Sequence, residues 1–304
     1  MKEELVELIK NTIVLEYNLP NTDKKINKSI ISTVNDYCYS HKSDTDLARL
    51  IHNSIIDYSF DNFEINVDEQ VLFNRALKSR IRFNDNDDDE TKLSYGFFGE
   101  VLLNSILRII YKTESLISKG HFSIVGNGES KGYDSYHLIQ NSNGNIDLWF
   151  GEVKFRAESS SCLKSALDSL RTKILTDNYL RENNLIPIFD EMSKNPEYDK
   201  KFSGSKLIEL RDKWIEKGIL DINDFVHESI KIIYPILISY NKSNRGYDKS
   251  IENAVNYIEK NYSGLTIDYL SLEHKIFFIF IPVDNVKFIK EQVLEWIDLK
   301  EPLI

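Results

Sequence analysis

Two stretches in the middle of this 304-residue chain carry residue types whose spacing could do metal-assisted hydrolysis. The first is Gly132-Tyr133-Asp134, and the second is Ile146-Asp147-Leu148-Trp149-Phe150 running into Gly151-Glu152-Val153-Lys154-Phe155. Side chains alternate across a strand, so Glu152 and Lys154 share a face while Val153 and Phe155 take the other. If Asp134 joins them, two carboxylates and an amine surround one point. Magnesium prefers oxygen ligands, keeps several waters and takes one or two carboxylates plus a substrate phosphate. Such an ion lowers the pKa of a bound water and stabilises charge on phosphate, with Lys154 adding a positive charge alongside. The plain alternative is a buried Asp-Lys-Glu salt-bridge cluster, which demands excellent pairing.

Glu-x-Lys by itself says little, because the chain contains it four times, beginning at Glu90, Glu129, Glu152 and Glu273. Glu90 closes an acidic run, Glu129 lies in a Gly/Asn/Ser loop, and Glu273 lacks a matching acid upstream. Only Glu152 stands in a strand-like stretch with an acid placed to meet it. Asp134 and Glu152 are equidistant from Asn143, so a hairpin turning there sets them directly opposite on one face. That register requires an odd loop with Gly144 in a left-handed conformation. A two-residue Asn143-Gly144 turn would put the acids on opposite faces.

A third acid precedes the hairpin. Phe97 to Ile110 reads as a largely buried helix with apolar residues on most sides and Glu100 as its one acid. A carboxylate in such a setting costs several kcal/mol unless paired or metal-bound. Either it reaches water or an arginine at the helix end, or it joins the site.

Helix with Glu100, strand (Gly120 to Val125), strand with Asp134, strand with Glu152 and Lys154, then a helix from about Leu163: this order resembles the PD-(D/E)XK nuclease superfamily. Its fold is a restriction-endonuclease-like α/β mixed sheet flanked by helices. Three stretches resemble, more narrowly, the HamA family, the nuclease subunit of the Hachiman anti-phage system. They are Gly96-Phe97-Phe98-Gly99-Glu100, Gly132-Tyr133-Asp134-Ser135-Tyr136-His137 and Leu148-Trp149-Phe150-Gly151-Glu152-Val153-Lys154-Phe155. The resemblance is dense over residues 95 to 172 and thinner through the apolar runs at 230–240 and 275–283. It implies a Mg2+-dependent DNA nuclease, with Mn2+ as a substitute ion, held in check by a HamB-like helicase. It also implies that Asp134 and Glu152 bind the metal, Lys154 positions or activates the water, and Glu100 is the auxiliary acid. Gly132-Tyr133-Asp134 replaces the superfamily's Pro-Asp, which makes the motif less distinctive without altering its chemistry.

Composition sets further bounds. Hydrophobic content of 41%, with 16 Tyr and 16 Phe, allows a sizeable core. No window approaches a membrane span, and Cys38 and Cys162 stand far apart, which points to a reducing, cytoplasmic setting. The net charge of −10 argues against a chain that coats DNA unaided. Either a local basic channel forms from Lys154, Arg156, Lys164, Arg171 and Lys173, or a partner grips the DNA. The second is the more economical.

Residues 1–90 read as an all-helical N-terminal region, either a docking surface or a cover, with helices over Glu3–Leu15, Lys25–Tyr39, Thr45–Tyr58 and Val67–Arg80. Asn84 to Glu90 is a charged loop, with Glu90 where a calcium loop requires glycine. Residues 91–304 then form the nuclease-like domain, with a helical insertion at about 176–229. Ile230–Tyr240 and Lys275–Val283 read as buried strands, separated by a helix over Tyr247–Asn261 and closed by one over Asn285–Leu299. Strand-helix-strand-helix implies parallel pairing. Cys38-Tyr39-Ser40-His41 lacks the second half of a zinc site. Gly126 to Gly132 lacks Walker spacing, so no nucleotide cofactor is expected on this chain. His137 should face away from Asp134.

Overall fold

The apolar runs around Ile236 and Phe278 lie at the middle of a sheet, where strands are covered on both faces and need no alternation with polar residues. In a computed structural model, residues 3–18, 36–61, 68–81, 83–116, 132–141, 144–174, 185–262 and 274–299 are described. The chain begins with α1 (Glu3–Thr12), β1 (Ile13–Asn18), β2 (Tyr37–His41), α2 (Asp44–Asn53), α3 (Ile55–Ser59) and α4 (Glu69–Arg75), which runs on as a π turn over Ala76–Arg80. Next come α5 (Asp89–Ser94), α6 (Phe97–Ile109), β3 (Glu114–Ser115), β4 (Ser135–Gln140), β5 (Ile146–Phe155) and α7 (Ser159–Ser169). Four short helices follow, α8 (Leu185–Ser193), α9 (Pro196–Lys201), α10 (Lys206–Lys217) and α11 (Ile222–His227). The last elements are β6 (Lys231–Asn241), α12 (Tyr247–Tyr262), β7 (His274–Val283) and α13 (Val286–Leu299).

The architecture is α/β, a mixed seven-stranded sheet in the order β1-β2-β7-β6-β5-β4-β3 with helices on both faces. β5, β6, β7 and β2 run parallel to one another, and the two flanks pair antiparallel to them. Strand alternation sorts the apolar side chains into two cores. Ile232, Tyr234, Ile236, Phe278 and Phe280 face α7, α12 and the short helices. Ile233, Leu237, Phe277 and Ile279 face α1, α2, α6 and α13.

One expectation needs correcting. The region before residue 90 is not all-helical, because β1 and β2 lie inside it and belong to the same sheet as the site strands. Tyr37 stands beside Ile279 and Cys38 beside Phe280 in parallel pairing. The three- and four-residue spacing read as helix also contains an alternation, since Cys38 enters one core and Tyr39 the other. Aromatic residues favour that pleated setting. The Thr45–Tyr58 helix is divided into α2 and α3 at Ser54, whose hydroxyl donates back to the Leu50 carbonyl at 2.7 Å. Most of the expected Lys25–Tyr39 helix, and the whole Gly120–Val125 strand, fall outside the described residues. No helix among the described residues is long and apolar enough to cross a membrane.

Candidate active site

The β4–β5 hairpin has the register that the equidistance of Asp134 and Glu152 from Asn143 requires. Ser135 pairs with Gly151 and Gln140 with Ile146, and the Asn141 N–H donates to the Asn145 carbonyl at 2.9 Å. Three residues are left between those two, and Gly144 takes φ +81°, the left-handed value glycine adopts at little cost. At the other end of the hairpin the Asp134 N–H donates to the Gly151 carbonyl at 2.8 Å, and its Oδ2 accepts from the Val153 N–H at 2.8 Å. The preceding Tyr133 is fully buried and stacks on Phe150 at 4.8 Å, while its N–H donates to the Tyr136 hydroxyl at 3.1 Å. Asp134 is therefore fixed at the mouth of β4 by its neighbours and by the backbone of β5.

Glu152 is 0% exposed. A carboxylate so placed is stable only with strong partners. It forms an ion pair with Lys154, and the Ser169 hydroxyl at the end of α7 donates to Oε1 at 2.8 Å. The opposite face of β5 is set by two glycines. A methyl group at Gly151 would collide with Ser135 Oγ and lie 2.8 Å from Leu103 Cδ2. One at Gly99 would lie 2.8 Å from Val153 Cγ2. Both positions must lack a side chain for α6 to lie flat on β5, and that packing brings Glu100 to the end of the strand.

Glu100 stands in the first turn of α6 and accepts a hydrogen bond of 2.5 Å from the Tyr58 hydroxyl of α3. Burial, then the charge and hydrogen bond of Glu100, then Asp134, push the Tyr58 pKa well above its ordinary value. Tyr58 is thus kept protonated, a donor to Glu100.

Glu100, Asp134, Glu152 and Lys154 all line one pocket of about 240 Å³, together with Tyr95, Arg156 and Lys290. Its ligand atoms are carboxylate oxygens, with no histidine or cysteine among the lining residues, which suits a hard cation such as Mg2+. The three carboxylates do not close within 4.8 Å of one another, as the ligand atoms of His41, Asp44 and Asp284 do. The His41 cluster has a structural role. Asp44 accepts from His41 at 2.6 Å and from the N–H groups of Asp284 (3.1 Å) and Asn285 (2.6 Å), which pins the entry to α13.

Other sequence candidates separate from this pocket. His137 faces the opposite side of β4, where its Nδ1 meets the Thr113 hydroxyl at 2.8 Å. Burial, then the charges of Arg108 and Lys201, lower its pKa to about 3, so it is neutral. Burial pushes the Cys162 thiol up to about 12, which removes it as a nucleophile. Of the expected basic channel, Lys154 and Arg156 line the pocket, whereas the exposed Lys164 and Arg171 do not, and the side chain of Lys173 falls outside the described residues. Tyr58, Ser169 and Lys290 went unread in the sequence. Each comes singly from a helix without a motif, and only tertiary packing brings it here.

No curated protein sequence shows significant similarity to the chain. A model of the HamA family, however, matches residues 7–297, from the first helix to the last and well beyond the three motif stretches. The chain belongs to the HamA family, and so is an anti-phage defence protein.

Proposed function

We propose that this protein is a Mg2+-dependent deoxyribonuclease of the Hachiman system, working in the cytoplasm under the control of a HamB-like helicase. What supports the reading is the convergence of Glu100 from α6, Asp134 from just before β4, and Glu152 and Lys154 from β5 on a single pocket. Asp134 and Glu152 would hold the ion, with Glu100 binding directly or through a water. When bound, the ion supplies Lewis acidity toward the phosphate and a water of lowered pKa. Lys154 orients the attacking water and adds positive charge where the phosphate gains negative charge. The Tyr58 hydroxyl fixes the rotamer of Glu100 and ties the site to the N-terminal region.

A second reading has one observation in its favour. The Glu152–Lys154 pair, with the Ser169 hydroxyl on the same carboxylate, satisfies a buried ion pair in the way a purely structural salt bridge requires. Metal-dependent degradation of DNA separates the two readings, with the chain assayed alone and with its helicase. The nuclease reading expects cleavage that needs Mg2+ and is lost in Glu152→Ala and Lys154→Ala while both variants stay folded. Cleavage indifferent to both substitutions, or none under any condition, would leave a binding subunit that keeps the fold.

A further inference from the structure

Two cations at the pocket take no part in the chemistry above. Lys290 from α13 and Arg156, the residue following β5, both line it. Among the described residues neither forms an ion pair with a carboxylate, although acids stand on the same pocket wall. Lys290 is held in place by other means. Its Nζ donates to the Leu93 carbonyl at 2.7 Å and sits 5.2 Å from the ring centre of Phe98 and 5.9 Å from that of Phe155. The base of Arg156 is fixed by its N–H, which donates to the Ser239 carbonyl at 3.1 Å, and the residue is exposed.

Burial, and then the like charge of Arg156, lower the Lys290 pKa to about 8. Like charges kept within reach of each other in a partly dry place cost free energy, and an anion between them offsets that cost. Arginine offers a fork of donors and lysine a point charge, the two common ways of holding a phosphate. A chain of net charge −10 needs such a local grip if it is to hold DNA at all.

We propose that Lys290 and Arg156 form a phosphate-binding pair, which grips a backbone phosphate of the DNA strand beside the one presented to Asp134, Glu152 and Lys154. This rests on the nuclease reading for the identity of its ligand. Lys290 would otherwise be a structural latch between α13 and the end of α5, and the two roles differ in what they predict.

The test is fluorescence anisotropy of a short fluorescein-labelled DNA strand with the full chain, over a range of salt, in Ca2+ to prevent cutting. Lys290→Met and Arg156→Met should each weaken binding several-fold and lower the slope of log affinity against log salt, and the double variant should lower it by about 0.7–0.9, the share of one phosphate contact. Thermal midpoints should be unchanged. Slopes equal to wild type in both variants would overturn the proposal, as would a wild-type chain that binds no DNA at low salt. A Lys290→Met protein that loses stability in proportion to its binding would mark a latch. Should that variant fail to fold, the exposed Arg156→Met decides. Cleavage by Glu152→Gln in Mg2+, measured alongside, tests the nuclease reading separately, because binding and cutting are read independently.

Discussion

Glu152 is buried, with Lys154 and the Ser169 hydroxyl among its partners. Removing one partner of such a pair leaves the other uncompensated, at about 3–5 kcal/mol. Lys154→Met should therefore destabilise the metal-free protein by that order, and the double variant Lys154→Met/Glu152→Gln should recover much of the loss. Chemical unfolding of the three proteins checks this. The metal reading adds a second expectation, that Mg2+ stabilises Lys154→Met more than it stabilises wild type, because the ion takes over part of the lysine's charge compensation. A salt bridge without metal function would show no Mg2+ effect. Tyr58→Phe removes only the hydroxyl on Glu100, so it should slow cleavage less than Glu152→Gln does. Equal losses would show that Tyr58 does more than orient an acid.

At the scale of elements, the site depends on how closely α6 lies on β5. Gly151→Ala forces a methyl group onto Ser135 Oγ and Leu103 Cδ2, and overpacking of this kind costs about 1–3 kcal/mol. The same substitution in a Ser135→Ala background should be milder, since the nearest clashing atom is gone; thermal unfolding of the two proteins measures the difference. A second clamp acts through pH. Burial alone would raise the Asp44 pKa, but hydrogen bonds from His41, Asn285 and Asp284 outweigh it and leave the carboxyl below its ordinary value. A lowered folded-state pKa gives stability that is complete above the unfolded value, about 4, and is lost as pH falls through the folded one. Wild type should thus exceed Asp44→Asn in stability near neutral pH, with the gap closing in acid. A gap that persists in strong acid would contradict that assignment. The hairpin register was legible in the sequence because Gly144 and the distances from Asn143 admit only one pairing that puts both acids together. The edge strands were not. β1 and β2 are six and five residues long, too short for their alternation to stand out from the helical spacing around them.

Over the whole molecule the net charge is −10, and on the nuclease reading the pocket must still take a polyanion. DNA binding by the isolated chain should fall steeply with salt, and the proposed helicase partner should restore it by supplying most of the grip; affinities across a salt series, with and without the partner, test this. Equal salt dependence with and without the partner would show that the chain carries its own DNA surface. The central strands and the residues that line the pocket from α6, from β5 and from the position before β4 were legible, since each lies in a contiguous run with a pattern of its own. Tyr58 and Lys290 were not, because α3 and α13 contribute one residue each from opposite ends of the chain. The family match likewise runs over residues 7–297, well beyond the motif stretches.

The central claim is that Asp134 and Glu152 hold a divalent ion, and titration of the full chain with Mn2+, followed by electron paramagnetic resonance, tests it most directly. A single bound ion is expected in wild type, lost in Asp134→Asn and in Glu152→Gln and kept in Asp44→Asn. Binding that survives both pocket substitutions, or that disappears only with Asp44, would contradict it.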